Sequence, residues 1–477
     1  MRLNLREVPF STRGSYMAFS YLEGKYQGKE VENGLYFRTV HGSASSSFLA
    51  RVRPVYERKQ IEYTYEAEPW ELRIITDKGT ARLVFADKDT IVIRGNLALE
   101  FDFMTEGTMF TFAQPWKSGD KDFWMVNCFN GNSRYMVRAA KGTVRPEQKW
   151  SVSTAEYCRI CLEPGNAGEY LATLEENFED WADRKIEYDY DAILKEKAAE
   201  FERFYESMPS VPAVYADAAR VAAYVDWASI VAPCGVLKRE SMFMSKNWMC
   251  NVWSWDHCFN AMALAYHNPK EAWDQFLVMF DFQKPSGNIP DSVNDAKIIH
   301  NYCKPPIHGW TLRKLMGIMA ISHEQLMEAY EKLSKWTYWW LNCRDENGDG
   351  LCEYTHGNDS GWDNATAFAE LPPVTLPDLA AFLVLQMDVL AEVAEKLGYM
   401  SDADMWKERS DKMLDKMLQV LFRDEKPIGL AGFDMTEVDC DSLILYLPII
   451  IGKKLPEEIR RTMIETLKSE KFNTEYG

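Results

Sequence analysis

Leu97-Ala98-Leu99-Glu100-Phe101-Asp102-Phe103 places an apolar side chain at every second position. A period of two is the mark of a half-buried β-strand. The surrounding sequence agrees. Arg73 to Thr76 and Ala81 to Phe85 flank Asp77-Lys78-Gly79-Thr80, a hairpin signal. Arg134 to Ala139 and Tyr157 to Leu162 read as further strands, and helical periodicity is nearly absent before about Leu171. Many short strands separated by turn residues predict a β-sandwich over residues 1–185.

The period then changes. Asp191 to Met208 is a charged helical stretch closed by Pro209 and Pro212, read as a linker helix within residues 186–212. From Val214 onward the period is helical. Ala218, Val221, Val225 and Ala228 share one face; so do Leu326, Tyr330, Leu333, Thr337 and Trp340, and later Leu379, Phe382, Gln386, Val389 and Val393. Ser401 reads as an N-cap followed by acidic Asp402 and Asp404. The last helix reads from Pro456 to Ser469. The expected organisation is multidomain, with an all-α region over 213–477 of about eight or nine helices. Long loops rich in Gly, Pro, Asn and Trp separate these helices, and ordered loops on a rigid scaffold are where sites are built.

Composition bounds the function. The chain has 477 residues, with Lys+Arg 54 and Asp+Glu 72, a formal net charge of −18. Hydrophobic residues at 47% and charged residues at 26% exclude a largely disordered chain. The acidic balance argues against a nucleic-acid partner, which needs a basic stripe, and against an anionic membrane. Met1-Arg2-Leu3-Asn4-Leu5-Arg6-Glu7 lacks the apolar core of a signal peptide, and the longest apolar run, Leu443 to Ile451, is broken by Pro448. The ten cysteines are scattered, as in a cytosolic thiol protein, so a cytoplasmic location is expected. Cys158-Arg159-Ile160-Cys161 has no second pair and reads as structural.

Three loops concentrate Trp, Asp and Asn. The first is Asn247-Trp248-Met249-Cys250-Asn251-Val252-Trp253-Ser254-Trp255-Asp256-His257. A sugar has an apolar C–H face and a polar hydroxyl rim, and a flat aromatic beside a carboxylate suits both. The other reading is a set of core tryptophans closing a helix end. The second loop runs from Gln283 through Gly287-Asn288-Ile289-Pro290-Asp291 to Lys304-Pro305-Pro306-Ile307-His308-Gly309-Trp310. Asp291, Lys304 and His308 offer hydrogen bonds to hydroxyls; plain loop chemistry is the alternative. The third is Asp345-Glu346-Asn347-Gly348-Asp349-Gly350-Leu351-Cys352-Glu353, running on to Asp359-Ser360-Gly361-Trp362-Asp363-Asn364. Its first half begins like a calcium loop but has His356 where an EF-hand needs Glu. An acidic turn capped by its own side chains is the leading reading. A looser calcium site on Asp345, Asn347, Asp349 and Glu353 is the second. In the second half, Asp363 follows Trp362 and lies near Asp359 in sequence. Desolvation and like charge would hold its carboxyl protonated, as a general acid requires; a helix cap is the bland alternative.

Taken in order, Trp253-Ser254-Trp255-Asp256, Gly287-Asn288-Ile289-Pro290, Lys304-Pro305-Pro306 and Ser360-Gly361-Trp362-Asp363-Asn364 resemble the clan of inverting α-glycosidases that includes trehalases and glycoside hydrolase family 63, nearest to mannosylglycerate-hydrolase-like members. The resemblance covers about residue 213 to the C-terminus. It implies an (α/α)6 barrel after the β-sandwich and an inverting α-glycosidase acting on α-linked glucosides or related α-glycosides. By resemblance Asp363 is the general acid. Trp253, Trp255, Asp256, Gln283, Asp291, Lys304, His308, Trp310, Trp362 and Asn364 would bind a small carbohydrate, with no cofactor required. The family's base is a late Glu, and the helices found are fewer than a closed ring of six hairpins needs. A barrel incomplete at its C-terminus, with the base beyond Gly477, is therefore expected. A sugar-binding pseudoenzyme and an inverting phosphorylase are the alternative functions.

Overall fold

The computed structural model describes residues 1–26, 29–42, 48–106, 108–118, 121–178, 181–369 and 372–475. The chain divides into two compact units: residues 1–251 with 294–297, and residues 252–293 with 298–477.

The first unit is built on two antiparallel sheets. One orders strands Met17–Leu22, Gly34–Thr39, Phe48–Tyr56, Ala98–Phe103, Thr154–Glu163 and Thr143–Ser151, with Lys59–Gln60 paired to Phe48–Tyr56. The other orders Phe112–Ser118, Lys121–Cys128, Ser133–Lys141, Tyr170–Asn177, Thr90–Gly95, Thr80–Phe85, Glu71–Ile75 and Thr64–Glu68. The alternation at 97–103 has its physical cause here. Leu99, Phe101 and Phe103 are buried, while Glu100 and Asp102 on the opposite face both pair with Arg53. The inner faces of the two sheets meet. Phe37 of one and Tyr135 of the other are edge-to-face with ring centroids 5.1 Å apart. Phe101, Phe103, Ile160 and Leu162 surround one internal gap together with Ile93, Val137 and Leu174.

Two helices belong to this unit. Helix α1, Tyr190–Glu206, starts at Asp189, whose carboxylate accepts from the N–H groups of Asp191 and Ala192. Helix α2 spans Ala216–Ser229. Tyr190 packs on Val84 and Val92, and its hydroxyl donates to Glu71 Oε1 at 3.0 Å. The Tyr224 hydroxyl of α2 donates to the Pro9 carbonyl at 2.9 Å. The division between units therefore falls later than residues 185 and 212. Single aromatic anchors tie both helices to the sheets, and helical periodicity does not show which body an anchor reaches.

The second unit is helical. It contains α3 (Asp256–Leu264), α4 (Pro269–Leu277), α5 (His308–Ile318), α6 (His323–Cys343), α7 (Pro377–Leu397), α8 (Met400–Val420) and α9 (Glu457–Lys468). The apolar run around Pro448 forms a 3₁₀ stretch, Leu443–Lys454. A capping box between Ser322 and Gln325 starts α6. Gly398, at φ 80°, ends α7 and leaves only Tyr399 before α8, so Tyr399 is the N-cap and Ser401 falls inside the helix. Helix α7 is buried on nearly every side and packs against α5, α6 and α8. Its one buried amide is satisfied on both ends. Gln386 Oε1 accepts from Gly309 N at 3.0 Å and Nε2 donates to Thr337 Oγ1 at 2.9 Å. Residue 309 must be glycine for α5 to approach, because a Cβ there would lie 2.6 Å from Gln386 Cα. All ten cysteines are free. Among the described residues no helix is long and apolar enough to cross a membrane.

Candidate active site

In the helical unit, strand Val252–Trp253 pairs with Ser292–Val293, which pairs in turn with Ile298–Ile299. This ribbon fixes the turn that delivers Trp255 and Asp256 to the start of α3, with Ser254 N donating to the Asp291 carbonyl at 2.9 Å. The indole of Trp255 lies directly on Gly361. That residue has φ +73°, and an added Cβ would stand 2.3 Å from Trp255 Cζ2. Two motifs more than a hundred positions apart in sequence are thereby in contact. Glycine is required at 361 both for the left-handed turn and for the indole resting on it.

A buried polar frame holds the loop in place. Lys304 Nζ donates to Asp291 Oδ1 at 2.9 Å, to the Asn358 carbonyl at 2.6 Å and to Asn358 Oδ1 at 2.9 Å. An ammonium has no further proton to give. Asp359, fully buried, accepts from Cys303 N at 3.0 Å, Thr355 N at 3.1 Å and Thr355 Oγ1 at 2.8 Å, with Arg344 at 3.5 Å. Ser360 Oγ donates to the Gly357 carbonyl at 2.7 Å and accepts from Trp362 N at 3.0 Å. Lys304 and Asp291 thus brace the loop instead of presenting free donors. Removing either charge alone would strand the other in a dry setting, at a cost of about 3–5 kcal/mol.

Asp256 and Asp363 are within electrostatic reach of one another. Burial pushes the Asp256 carboxyl up from its ordinary value; Lys304 opposes this, while Asp291 and Asp363 add to it. Asp363 itself is exposed, as is Asn364. The burial on which a proton-holding Asp363 was expected is therefore absent, because the indole of Trp362 does not cover it. Nor does Asp363 cap a helix: the 3₁₀ turn that follows, Thr366–Phe368, has Ala365 as its N-cap. Beside Trp255 runs an aromatic wall. Phe259 stands 6.4 Å from Trp255 and 5.9 Å from Trp310, centroid to centroid, and Phe259 is 49% exposed.

Other expected residues lie elsewhere. Gln283 spends its Nε2 on the carbonyls of Gly287 (3.0 Å) and Lys332 (2.9 Å). His308 is fully buried among Phe280, Trp336 and His257, facing the helical interior. Burial pushes His257 down to about 4 and His308 well below the usual histidine range. Trp253 is half-buried in the ribbon, where its carbonyl accepts from His257 Nδ1 at 3.0 Å. In the acidic turn, oxygens of Asp345, Asn347, Asp349 and Glu353 accept from N–H groups of their own loop at 2.8–3.1 Å. That is the self-capped reading. Asp345 Oδ1 and Glu353 Oε1 are buried without a hydrogen-bond partner, so they are the two oxygens a calcium ion would find free. Burial pushes Glu353 up to about 7, with Asp345 and Asp349 adding to it.

Sequence reading missed Phe259 and Asn358, and it took Asp359 as a like charge beside Asp363, whereas Asp359 braces the loop through Cys303 and Thr355. A signal existed for the first alone: Phe259 follows Trp255 by four residues, one helical turn.

Asp378, fully buried in the first turn of α7, accepts from the Tyr354 hydroxyl at 2.8 Å. Burial raises its carboxyl from 3.8 to about 7. The folded state then binds this proton more tightly than the unfolded chain does. Its stabilisation is complete below 3.8 and is lost as pH rises through about 7. Asp378→Asn is expected to reduce the slope of Tm against pH across that window, measured by calorimetry. An unchanged slope would count against the assignment.

Residues 249–477 match the family described as the mannosylglycerate hydrolase MGH1-like glycoside hydrolase domain. The chain is 23% identical over 193 residues to mannosylglycerate hydrolase MGH1 of Selaginella moellendorffii, covering 36% of this chain and 37% of that protein. It thus spans little more than a third of the length of that relative. Among solved structures it is similar to a family GH92 glycosyl hydrolase (TM-score 0.58, 12% identity, 99% of this chain and 73% of the other). It is also similar to the family GH92 inverting mannosidase of Bacteroides thetaiotaomicron (0.57, 12%, 90% and 64%) and to a bacterial glucoamylase complexed with acarbose (0.56, 11%, 89% and 68%). At these identities the structural likeness is one of fold: a β-rich region followed by a helical one. The tryptophan and carboxylate motifs from Trp253 onward all lie in the matched region, residues 249–477, and it is this part of the chain that is similar to the mannosylglycerate hydrolase-like glycoside hydrolases.

Proposed function

We propose that the protein hydrolyses a small α-linked glycoside by single displacement with inversion, on a β-sandwich followed by an (α/α)6 helical barrel. The observation that carries this reading is the contact of Trp255 with Gly361. It puts an indole, the Asp256 carboxyl and the Asp363 carboxyl around one place. Trp255, Phe259 and Trp310 would stack on the apolar face of the sugar, and Asp256 and Asn364 would bind hydroxyls. Asp363 would protonate the glycosidic oxygen. Its exposure leaves it open to the glycosidic oxygen of a bound sugar, which would cover the carboxyl and displace water from it. The partner base would activate water from the opposite side of the ring, about 6.5–9.5 Å from the acid.

The match to mannosylglycerate hydrolases supports α-mannosyl and α-glucosyl glycerates as first substrates to test. The experiment is proton NMR of the first anomer released from a panel of α-linked disaccharides and glycosylglycerates. Release of the β-anomer is expected. Release of the α-anomer would exclude single displacement, and no release from any of them would exclude the panel.

A further inference from the structure

Three side chains meet in the interior of the helical unit. His257 and Cys258 are in the first turn of α3 and His308 begins α5; all three have zero exposure. Their ligand-bearing atoms lie within 4.8 Å of one another. His257 Nδ1 is 3.0 Å from the Trp253 carbonyl. A carbonyl only accepts, so the ring proton sits on Nδ1 and Nε2 carries a lone pair. That lone pair faces Cys258 Sγ at 3.7 Å. Neither nitrogen of His308 has a hydrogen-bond partner; the Ser254 carbonyl approaches the ring without meeting hydrogen-bond geometry. The surroundings are mostly apolar, Ile307, Phe382, Phe280 and Trp336, with the Thr311 hydroxyl beside Cys258 as a polar neighbour.

A thiol-to-imidazole hydrogen bond accounts for Cys258 and His257, but it leaves His308 with two orphaned buried nitrogens. Orphaned buried polar atoms are rare because each costs free energy. A metal ion accounts for all three residues. Imidazole and thiolate are the ligands of soft or borderline d10 ions, and a ligating histidine commonly donates its other N–H to a backbone carbonyl, as His257 does. Bonds of about 2.0–2.3 Å place ligand atoms about 3.3–4 Å apart, so the His257–Cys258 pair is already at ligand spacing and His308 needs a small shift.

We propose that His257, Cys258 and His308 form a binding site for one d10 metal ion, Zn²⁺ or Cu⁺. Binding exchanges the Cys258 S–H bond for an S–metal bond and releases one proton to solvent, with no change of oxidation state. The ion would be structural. It would pin the first turns of α3 and α5, which carry Asp256 and Trp310.

The full chain, stripped with chelator under reducing conditions, is titrated with Co²⁺ as a spectroscopic probe for Zn²⁺. A parallel anaerobic titration uses Cu⁺ against a coloured competitor. One equivalent of one ion is expected to bind, with a thiolate charge-transfer band for Co²⁺ and a rise in Tm. Cys258→Ser should abolish the band, and His308→Gln should weaken binding at least about tenfold. X-ray absorption of the loaded wild-type protein needs no variant and should show one sulfur and two nitrogens. No stoichiometric binding of either ion, an unchanged band in Cys258→Ser, or a shell of two sulfurs pointing to Cys158 and Cys161 would each overturn the proposal. Glycoside turnover enters none of these measurements, so the site and the catalytic reading stand or fall separately.

Discussion

Asp363→Asn is expected to lower turnover by about 10²–10⁴-fold, the usual worth of a positioned proton donor. Sugar binding, followed by tryptophan fluorescence, should persist. The side chain is exposed, so the amide replaces the carboxyl without stranding any buried partner and the fold is left intact. The loss should shrink for aryl glycosides whose leaving group needs little protonation, because an activated phenolate departs unaided. Asp256→Asn is the informative comparison. Asp256 sits partly buried beside Trp255, within electrostatic reach of Lys304 and Asp291, so its loss should fall mainly on KM. If Asp256→Asn abolishes kcat and Asp363→Asn does not, the acid has been assigned to the wrong carboxyl.

Gly361→Ala carries the second large effect. The backbone at φ +73° disfavours any Cβ, and this one would be 2.3 Å from the Trp255 indole. The ring has to move, and overpacking of this kind costs about 1–3 kcal/mol. The consequence should be local. Sugar affinity and turnover fall together as Trp255 leaves its seat, whereas Gly357→Ala, whose Cβ would meet the Asp363 carbonyl at 3.0 Å, should be milder. Equal sugar affinity in Gly361→Ala and the parent would mean that the Trp255–Gly361 contact does not shape the site.

The regular elements were legible because their cause is local. Leu99, Phe101 and Phe103 alternate because one face of their strand is buried, and Leu333, Thr337 and Trp340 share a helix face for the same reason. The site was half legible. Trp255, Asp256 and the Ser360-to-Asn364 stretch could be picked out by residue type, yet nothing local tells that Trp255 lands on Gly361. Lys304 and His308 look like hydroxyl binders in sequence. The structure spends all three protons of the first on Asp291 and Asn358 and turns the second inward. Asp363 shows the reverse error. A neighbouring tryptophan in sequence implies cover, but cover is a property of packing, and this carboxyl has little.

Residues 294–297 join the first unit although the strands on either side of them, 292–293 and 298–299, pair within the second. Asp295 accepts from Gly42 N at 2.9 Å, lies 2.8 Å from His41 Nδ1, and its carbonyl accepts from Val236 N at 2.8 Å. A gene cut after codon 251 would therefore express a first half deprived of a strut encoded more than forty codons downstream. Shuffling between relatives at a single crossover would separate residues that must be inherited together, so chimaeras need paired junctions that carry this short insert along with its host.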